Sequence, residues 1–294
     1  MDLLKKWNEI PYAGEQVPPT NPEEPSAGSW VTHYIKTNEI GEFFYKNGKK
    51  IQLDIRNPST IDWKPQLAIV KKTLENLTPH QMEVAKYWGT GVPTKQFVPI
   101  MDRLIDTYKV PAPRAARILA AVLAAVNDAF VVTWKCKFDW QVARPNQLDQ
   151  SLETILCTPR HPTYPSGHAT IAGCVEQVLG YFFPGEAKKL RKMSEECSDS
   201  RLYAGVHFPL DNSEGLRLGR QIGRIVVEEL KKDKNEENRK IDKPYRENRN
   251  AVINPPPYEQ VIPYEFANNC TSLLTNNKKD DLPTNNTTKP TLFY

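Results

Sequence analysis

The chain has 294 residues, of which 39% are hydrophobic and 25% are charged, and its formal net charge is +4. This length suits one large domain or two small ones, and the composition excludes a largely disordered chain. The small net charge, with no stripe of lysine and arginine along the whole chain, argues against a nucleic-acid partner.

Three features of the sequence indicate the cellular compartment: the N-terminus, the most apolar run and the cysteines. Residues 1–19 lack an apolar core and a small-residue cleavage site, so no secretory signal is predicted. The run from Ile118 to Val126 is shorter than the about 20 residues that span a bilayer, which favours a buried helix. The five cysteines are odd in number and show no C-x-x-C spacing, which favours free thiols over disulfides or a zinc site. We therefore expect a cytoplasmic protein without a membrane span.

The first elements in chain order are an arm, a hairpin and a capped helix. Residues 1–30 are rich in Pro, Gly and Glu and are expected to be extended. Asn47-Gly48 between two apolar runs predicts a β-hairpin over residues 42–55. Thr78 and Gln81 have the spacing of a capping box, which predicts a helix start.

The remaining pattern is helical. Apolar periodicity and breakers predict helices over residues 95–108, 113–134, 167–182, 186–201 and 211–232. Gly215, Gly219 and Gly223 are four residues apart, which indicates a helix that packs closely on a neighbour. Residues 158–165 form a proline-rich loop, and the charged and Asn/Thr-rich C-terminal part is typical of a wrapping or disordered tail.

The segment Pro165-Ser166-Gly167-His168 has the features of an anion site. A turn that opens an apolar helix directs free backbone N–H groups and the positive end of the helix dipole at one point. Ser166 adds a hydroxyl donor, Gly167 allows close backbone approach, and His168 can transfer a proton near neutral pH. A helix cap followed by an incidental histidine is about as common an explanation for this segment alone.

Two further segments supply cations and a histidine–aspartate pair. Arg201 can donate parallel hydrogen bonds to an oxyanion. His207 precedes Asp211 by four residues, so the carboxylate can orient the imidazole and make its other nitrogen a better nucleophile. Lys137 and Arg144 lie in a Trp-containing stretch that, by itself, is more typical of a solvated face.

The ordered motifs Lys-x6-Arg-Pro, Pro-Ser-Gly-His and Ser-Arg-x5-His-x3-Asp resemble those of the type 2 phosphatidic acid phosphatase and vanadium haloperoxidase superfamily. The resemblance covers about residues 78 to 230. It implies an all-α helical bundle, to which the sequence pattern adds the small N-terminal β-hairpin. It also implies an oxyanion site in which phosphate or vanadate is held by Lys137, Arg144, Ser166, Gly167, Arg201 and His207, with His168, His207 and Asp211 as catalytic residues.

The composition and pattern along the chain predict three parts, and the resemblance implies two alternative chemistries. Residues 1–60 would form an arm and hairpin packed on the core, residues 61–232 the catalytic bundle, and residues 233–294 an extended tail. In the haloperoxidase interpretation, vanadate is the cofactor, His207 is its ligand, and halide is oxidised with hydrogen peroxide. In the alternative, a soluble acid-type phosphatase without cofactor hydrolyses phosphomonoesters through a phosphohistidine on His207. A non-catalytic phosphate- or vanadate-binding protein is a third hypothesis.

Two side positions favour the haloperoxidase interpretation. Trp134, three residues before Lys137, resembles fungal chloroperoxidases, and His161, five residues before Ser166, resembles algal bromoperoxidases. Both are candidates for a halide or substrate pocket, although core packing is the commoner role of a buried Trp. The expected partners are small molecules, either a phosphoester or peroxide plus halide, and a homo-oligomer is possible.

Overall fold

The computed structural model describes residues 5–253, 255, 257–262 and 270–273. Over these residues the fold is all-α, as the sequence predicts. Its helices are α1 (Trp63–Glu75), α2 (Pro79–Gly89), α3 (Pro93–Thr107), α4 (Ala112–Trp140), α5 (Pro145–Leu148), α6 (Gly167–Phe182), α7 (Ala187–Tyr203) and α8 (Pro209–Leu230).

The helix starts follow their capping residues. Thr78 and Gln81 form the predicted capping box at α2, and the Ser166 side chain accepts from the backbone N–H of Ala169 at the start of α6. The sequence analysis did not predict α1, although Trp63, Leu67, Val70 and Leu74 have the spacing of one helical face and pack into the same apolar cluster.

The predicted β-hairpin is present in a reduced form. Strand β2 (Phe43–Phe44) turns at Gly48, which has a φ of +88°, and returns through a bridge between Phe44 and Lys50. Strand β1 (Lys36–Thr37), which the pattern did not predict, pairs antiparallel with β2 on its other side. Phe43 is buried and attaches this small sheet to the helical core.

Helix α6 lies at the centre of the bundle and packs against α4, α7 and α8. The predicted close packing of the glycines is confirmed. A Cβ at Gly219 would lie 2.0 Å from the Thr170 carbonyl oxygen, and one at Gly215 would lie 2.8 Å from that of Ser166. The backbones of α6 and α8 therefore approach closely, which brings the starts of both helices together.

The apolar run from Ile118 to Val126 is part of α4, which has 29 residues. By length and composition α4 could cross a membrane, and it is the one helix of this kind in the described ranges. Half of its most apolar window is buried inside the bundle, as also occurs in the core helix of a soluble protein, so this observation is weak evidence of a membrane span.

The described part of the chain after α8 runs along the bundle without regular secondary structure. The Tyr245 ring stacks on Phe183, with 5.4 Å between the ring centroids, and Asp242 pairs with Arg117. Ile253 is buried in the main core. The C-terminal part of the proposed tail, residues 274–294, falls outside the described residues.

The prediction that all cysteines are free thiols is wrong. Cys157 and Cys270 form a disulfide across a sequence separation of 113 residues, whereas Cys136, Cys174 and Cys197 are free and buried. Cysteine count and spacing could not reveal this bond, because it joins two loops that only the folded chain brings together.

Candidate functional site

Lys137 lies in the last turn of α4 and has a fully buried side chain. Its Nζ donates to the carbonyl oxygens of Pro162 at 2.6 Å and Thr163 at 2.9 Å, in the proline-rich loop. Desolvation, followed by the nearby charge of Arg144, lowers the pKa of the Lys137 ammonium well below its ordinary value. The Lys137 ammonium group is thus held at the level of the loop that leads into α6.

Arg144 lies just before α5 and is also fully buried. Its Nε donates to the His161 carbonyl oxygen at 3.0 Å, and one terminal nitrogen donates to the Val206 carbonyl oxygen at 2.8 Å. The same terminal nitrogen lies 3.1 Å from His207 Nε2, and the other lies 3.0 Å from His161 Nδ1. Arg144 therefore connects the loop before α6 with the turn before α8.

Arg201, in the last turn of α7, is the third buried cation. Its guanidinium donates to the Ser200 hydroxyl and to the Ala85 carbonyl oxygen, each at 2.9 Å. Burial lowers the pKa of Arg201 to about 10. A Cβ on Gly89 would lie 2.9 Å from a guanidinium nitrogen, so the missing side chain at Gly89 leaves room for this cation.

The three residues Lys137, Arg144 and Arg201 are called the cation site below. In the described part of the chain their N–H groups contact carbonyl oxygens, a hydroxyl and imidazoles, and none forms an ion pair with a carboxylate. Buried charges are costly unless they are paired. Among the described residues, the charge of these three cations is therefore not compensated by a directly bonded carboxylate.

His207 and Asp211, called the histidine–aspartate pair below, lie at the start of α8. His207 Nδ1 is 2.9 Å from Asp211 Oδ2, which also accepts from the Phe208 backbone N–H at 2.9 Å. Because Arg144 can only donate, its contact with His207 Nε2 requires Nε2 to be the acceptor. The proton of the neutral ring is therefore on Nδ1, and the Nε2 lone pair faces the cations.

Burial determines the direction of both pKa shifts in this pair. Desolvation, followed by the charges of Arg144 and Lys137, lowers the pKa of His207 well below its ordinary value and favours the neutral ring. Desolvation also raises the pKa of Asp211 to about 6, against hydrogen bonds from Thr163 and the Phe208 N–H, which lower it.

The start of α6 faces the same region. The Ser166 backbone N–H donates to the Asp211 carbonyl oxygen at 3.0 Å, which fixes the N-terminus of α6 beside that of α8. His168 is in the first turn of α6, is partly exposed, and has Nε2 3.0 Å from the Trp88 carbonyl oxygen. Burial, followed by the charge of Arg201, lowers the pKa of His168 well below its ordinary value. The free N–H groups of this first turn point out of the helix end.

Trp134 and His161 lie together beside the cations. Their rings are 4.8 Å apart between centroids, and Lys137 Nζ lies 5.9 Å from the Trp134 ring centroid. The Trp134 Nε1–H donates to the Glu23 carbonyl oxygen at 3.1 Å, so the N-terminal arm reaches this region. Burial lowers the pKa of His161 well below its ordinary value.

The structure thus brings the sequence-predicted residues to one region, and it adds residues that the motifs do not include. Thr163 contacts both members of the histidine–aspartate pair, Gly89 makes room for Arg201, and the carbonyl oxygen of Trp88 contacts His168. A single threonine in a proline-rich loop and a glycine at a helix end carry no sequence signal of such contacts.

Comparisons with known proteins point to one group of enzymes. The family model described as the VCPO second helical-bundle domain matches residues 183–236. The chain is 27% identical over 143 residues to the vanadium chloroperoxidase of Curvularia inaequalis, covering 37% of this chain and 24% of that protein. It is 29% identical over 99 residues to the vanadium-dependent bromoperoxidase of Corallina pilulifera, covering 24% of this chain and 17% of that protein.

A solved bacterial vanadium-dependent iodoperoxidase has a similar fold, with a TM-score of 0.60 and 18% identity, covering 76% of this chain and 60% of that chain. The matched parts span a quarter or less of the two curated relatives' own lengths. The comparisons therefore bear on the superfamily and the fold.

Proposed function

Because this chain belongs to the superfamily of vanadium haloperoxidases and type 2 phosphatidic acid phosphatases, we propose that it binds vanadate in the cation site and oxidises halide with hydrogen peroxide. The curated relatives named above are vanadium-dependent haloperoxidases, and their likeness to this chain supports the choice of vanadate as cofactor.

The observation that carries this proposal is the excess of buried positive charge. Three cations are buried together, and the carboxylate of Asp211 beside them already accepts from His207. A tetrahedral oxyanion would compensate this charge. Its oxygens would also accept hydrogen bonds from the N–H groups of the three cations. The chemistry of the donor set therefore fits vanadate and phosphate equally.

Residues in or directly before five helices would hold vanadate. Its oxygens would be bound by Lys137, Arg144 and Arg201, by the Ser166 hydroxyl and by the Gly167 backbone N–H, and His207 Nε2 would be the ligand of the metal. When bound, vanadate supplies a Lewis-acidic centre that activates hydrogen peroxide for attack by halide.

The side chains around the anion would do the remaining work. The cations stabilise negative charge on the oxygens without any rearrangement, which is the largest contribution that a rigid site makes to catalysis. Asp211 keeps the His207 proton on Nδ1, so that Nε2 stays available as a ligand. His168 holds or moves a proton at the edge of the site, and Trp134 and His161 line the side from which a halide could approach.

Phosphomonoester hydrolysis is the second candidate. It is supported by the same orientation of His207, because an unprotonated Nε2 facing three cations is also an activated nucleophile. In that reaction Nε2 attacks phosphorus, the P–O bond to the alcohol breaks, and His168 protonates the leaving alcohol. Water then hydrolyses the phosphohistidine, and the cations stabilise the charge on the phosphoryl oxygens in both steps.

A paired assay with and without orthovanadate separates the candidates. One arm follows bromination of a phenolic dye with peroxide and bromide, and the other follows phosphate release from an aryl phosphate. We expect bromination that requires vanadate and negligible phosphate release. Phosphate release that vanadate inhibits would instead establish the phosphatase.

Variants of two histidines make the assay specific to the site. His207→Ala should abolish the vanadate-dependent activity and vanadate retention, whereas His80→Ala should change neither, because the His80 side chain is 66% exposed at the surface. Tight vanadate binding by the wild type without either activity would favour a non-catalytic binding protein. No vanadate binding by the folded wild type would contradict the whole assignment.

A further inference from the structure

We infer that Thr163 is a positioning residue, which holds the histidine–aspartate pair in its reactive arrangement and ties it to Lys137. This inference rests on the proposed function, because it concerns how His207 presents Nε2 to the bound anion. Thr163 lies in the loop between His161 and Ser166, outside all three motifs.

The Thr163 hydroxyl lies between both members of the pair. It donates to Asp211 Oδ2 in a short hydrogen bond, and its oxygen is 3.0 Å from His207 Nδ1. Since Nδ1 itself is 2.9 Å from Asp211 Oδ2, the three groups form a closed triangle. Thr163, His207 and Asp211 are all buried, so water cannot replace a missing side of this triangle.

The directions of the hydrogen bonds follow from the available protons. The hydroxyl proton of Thr163 goes to the carboxylate, which leaves the hydroxyl oxygen free to accept. The Nδ1–H of His207 is then shared between that oxygen and Asp211 Oδ2. Two acceptors on one N–H restrain rotation of the imidazole, so the Nε2 lone pair keeps its direction toward the cations.

The backbone of Thr163 extends the link to α4. The Thr163 carbonyl oxygen accepts from Lys137 Nζ at 2.9 Å, and its N–H donates to the Val142 carbonyl oxygen at 3.0 Å. One residue therefore fixes the position of a cation through its main chain and that of the proposed vanadium ligand through its side chain. Displacement of Thr163 would alter both at once.

Three variants test the hydroxyl. Thr163→Val keeps the shape and removes the hydroxyl, Thr163→Ser keeps the hydroxyl and removes the methyl group, and Thr133→Val is the matched control. Thr133 is fully buried in α4, and its hydroxyl donates to the Ala129 carbonyl oxygen in its own helix. Orthovanadate affinity is measured by titration calorimetry, and the His207 ring is observed by ¹⁵N NMR.

We expect Thr163→Val to weaken orthovanadate binding by about 10- to 100-fold, the loss typical of partners that orient a metal ligand. In the wild type the Nδ1–H of His207 should be protected from exchange with water and Nε2 unprotonated. In Thr163→Val that exchange should be faster, because the Nδ1–H then has Asp211 as its single acceptor in the triangle. If the protein turns over a substrate, kcat should fall more than KM rises, because the ligand's orientation and not the substrate's contacts is changed.

The two remaining variants decide what the loss means. Thr163→Ser should retain orthovanadate affinity within about threefold and keep the protected Nδ1–H, because it keeps the hydroxyl. Thr133→Val should do the same, because it loses a neutral hydrogen bond that lies away from the histidine–aspartate pair. A Thr163→Ser protein as impaired as Thr163→Val would overturn the inference, because the methyl packing and not the hydroxyl would then matter. Should Thr163→Val fail to fold, Thr163→Ala against Thr163→Ser gives the same comparison.

The result also distinguishes this inference from the proposed function. A folded wild type that does not bind orthovanadate contradicts the proposed function, whereas the NMR comparison of His207 still tests Thr163 on its own. A wild type that binds orthovanadate, with a Thr163→Val variant unchanged in affinity and in the His207 spectrum, contradicts the role of Thr163 alone.

Discussion

Replacing Lys137 by Met should separate anion binding from stability. The side chains are similar in length, so the change removes a buried ammonium group with little change in packing. The folded protein loses two hydrogen bonds, to the carbonyl oxygens of Pro162 and Thr163, each worth about 1 kcal/mol net. It is also relieved of a desolvated charge close to Arg144, which is what lowers the pKa of Lys137.

These two effects have opposite signs. We therefore expect the free energy of unfolding of the unliganded protein to change by no more than about 1 kcal/mol. Vanadate binding, by contrast, loses a charge-assisted hydrogen bond worth about 1.5 to 3 kcal/mol, or about 10- to 150-fold in affinity.

Denaturant unfolding and titration calorimetry with orthovanadate measure the two quantities on the same protein. Lys135→Met is the matched control, because Lys135 lies two residues earlier in α4 and pairs with Asp139 at the surface. It should leave the affinity unchanged. A Lys137→Met protein that is destabilised by more than about 3 kcal/mol, yet binds orthovanadate normally, would mean that Lys137 has a structural role only.

Three further outcomes are expected. The site's three histidines have lowered pKa values, so the unfolded chain binds more protons than the folded one below about pH 6.5. As the pH falls from about 7.5 to 6, the free energy of unfolding of the unliganded protein should therefore decrease by about 2 kcal/mol, a figure that includes a small opposing gain from Asp211. A Tm that does not change over this pH range would contradict this. Reducing the bond between Cys157 and Cys270 should lower the free energy of unfolding by about 2 to 5 kcal/mol, and an unchanged denaturation midpoint in reductant would refute it. Gly89→Ala would place a Cβ 2.0 Å from a leucine methyl carbon and 2.9 Å from a nitrogen of Arg201, so orthovanadate affinity should fall, whereas Gly180→Ala, where nothing lies within 4 Å, should have no effect.

The resemblance of the three motifs to a known superfamily predicted much of the candidate site. It implied Lys137, Arg144, Arg201 and His207 as oxyanion-binding residues, and the structure buries all four. Local rules also predicted the helix starts at Pro79 and Gly167, because capping depends on residues within one turn.

Other features depended on contacts between distant parts of the chain. The disulfide joins residues 113 positions apart, which no local pattern can reveal. The role inferred for Thr163 is of the same kind, because its partners lie 44 and 48 residues away.

The sequence by itself determined that most of the chain is helical, because helix periodicity is a local property, and the resemblance of its motifs predicted the anion-binding residues. Only the tertiary structure decided that the cations are buried without a bonded carboxylate among the described residues, and that Arg144 and Asp211 fix the tautomer of His207. The physical reason is that burial, charge compensation and hydrogen-bond direction depend on which groups meet in space, and close packing of α6 on α8 brings these groups together.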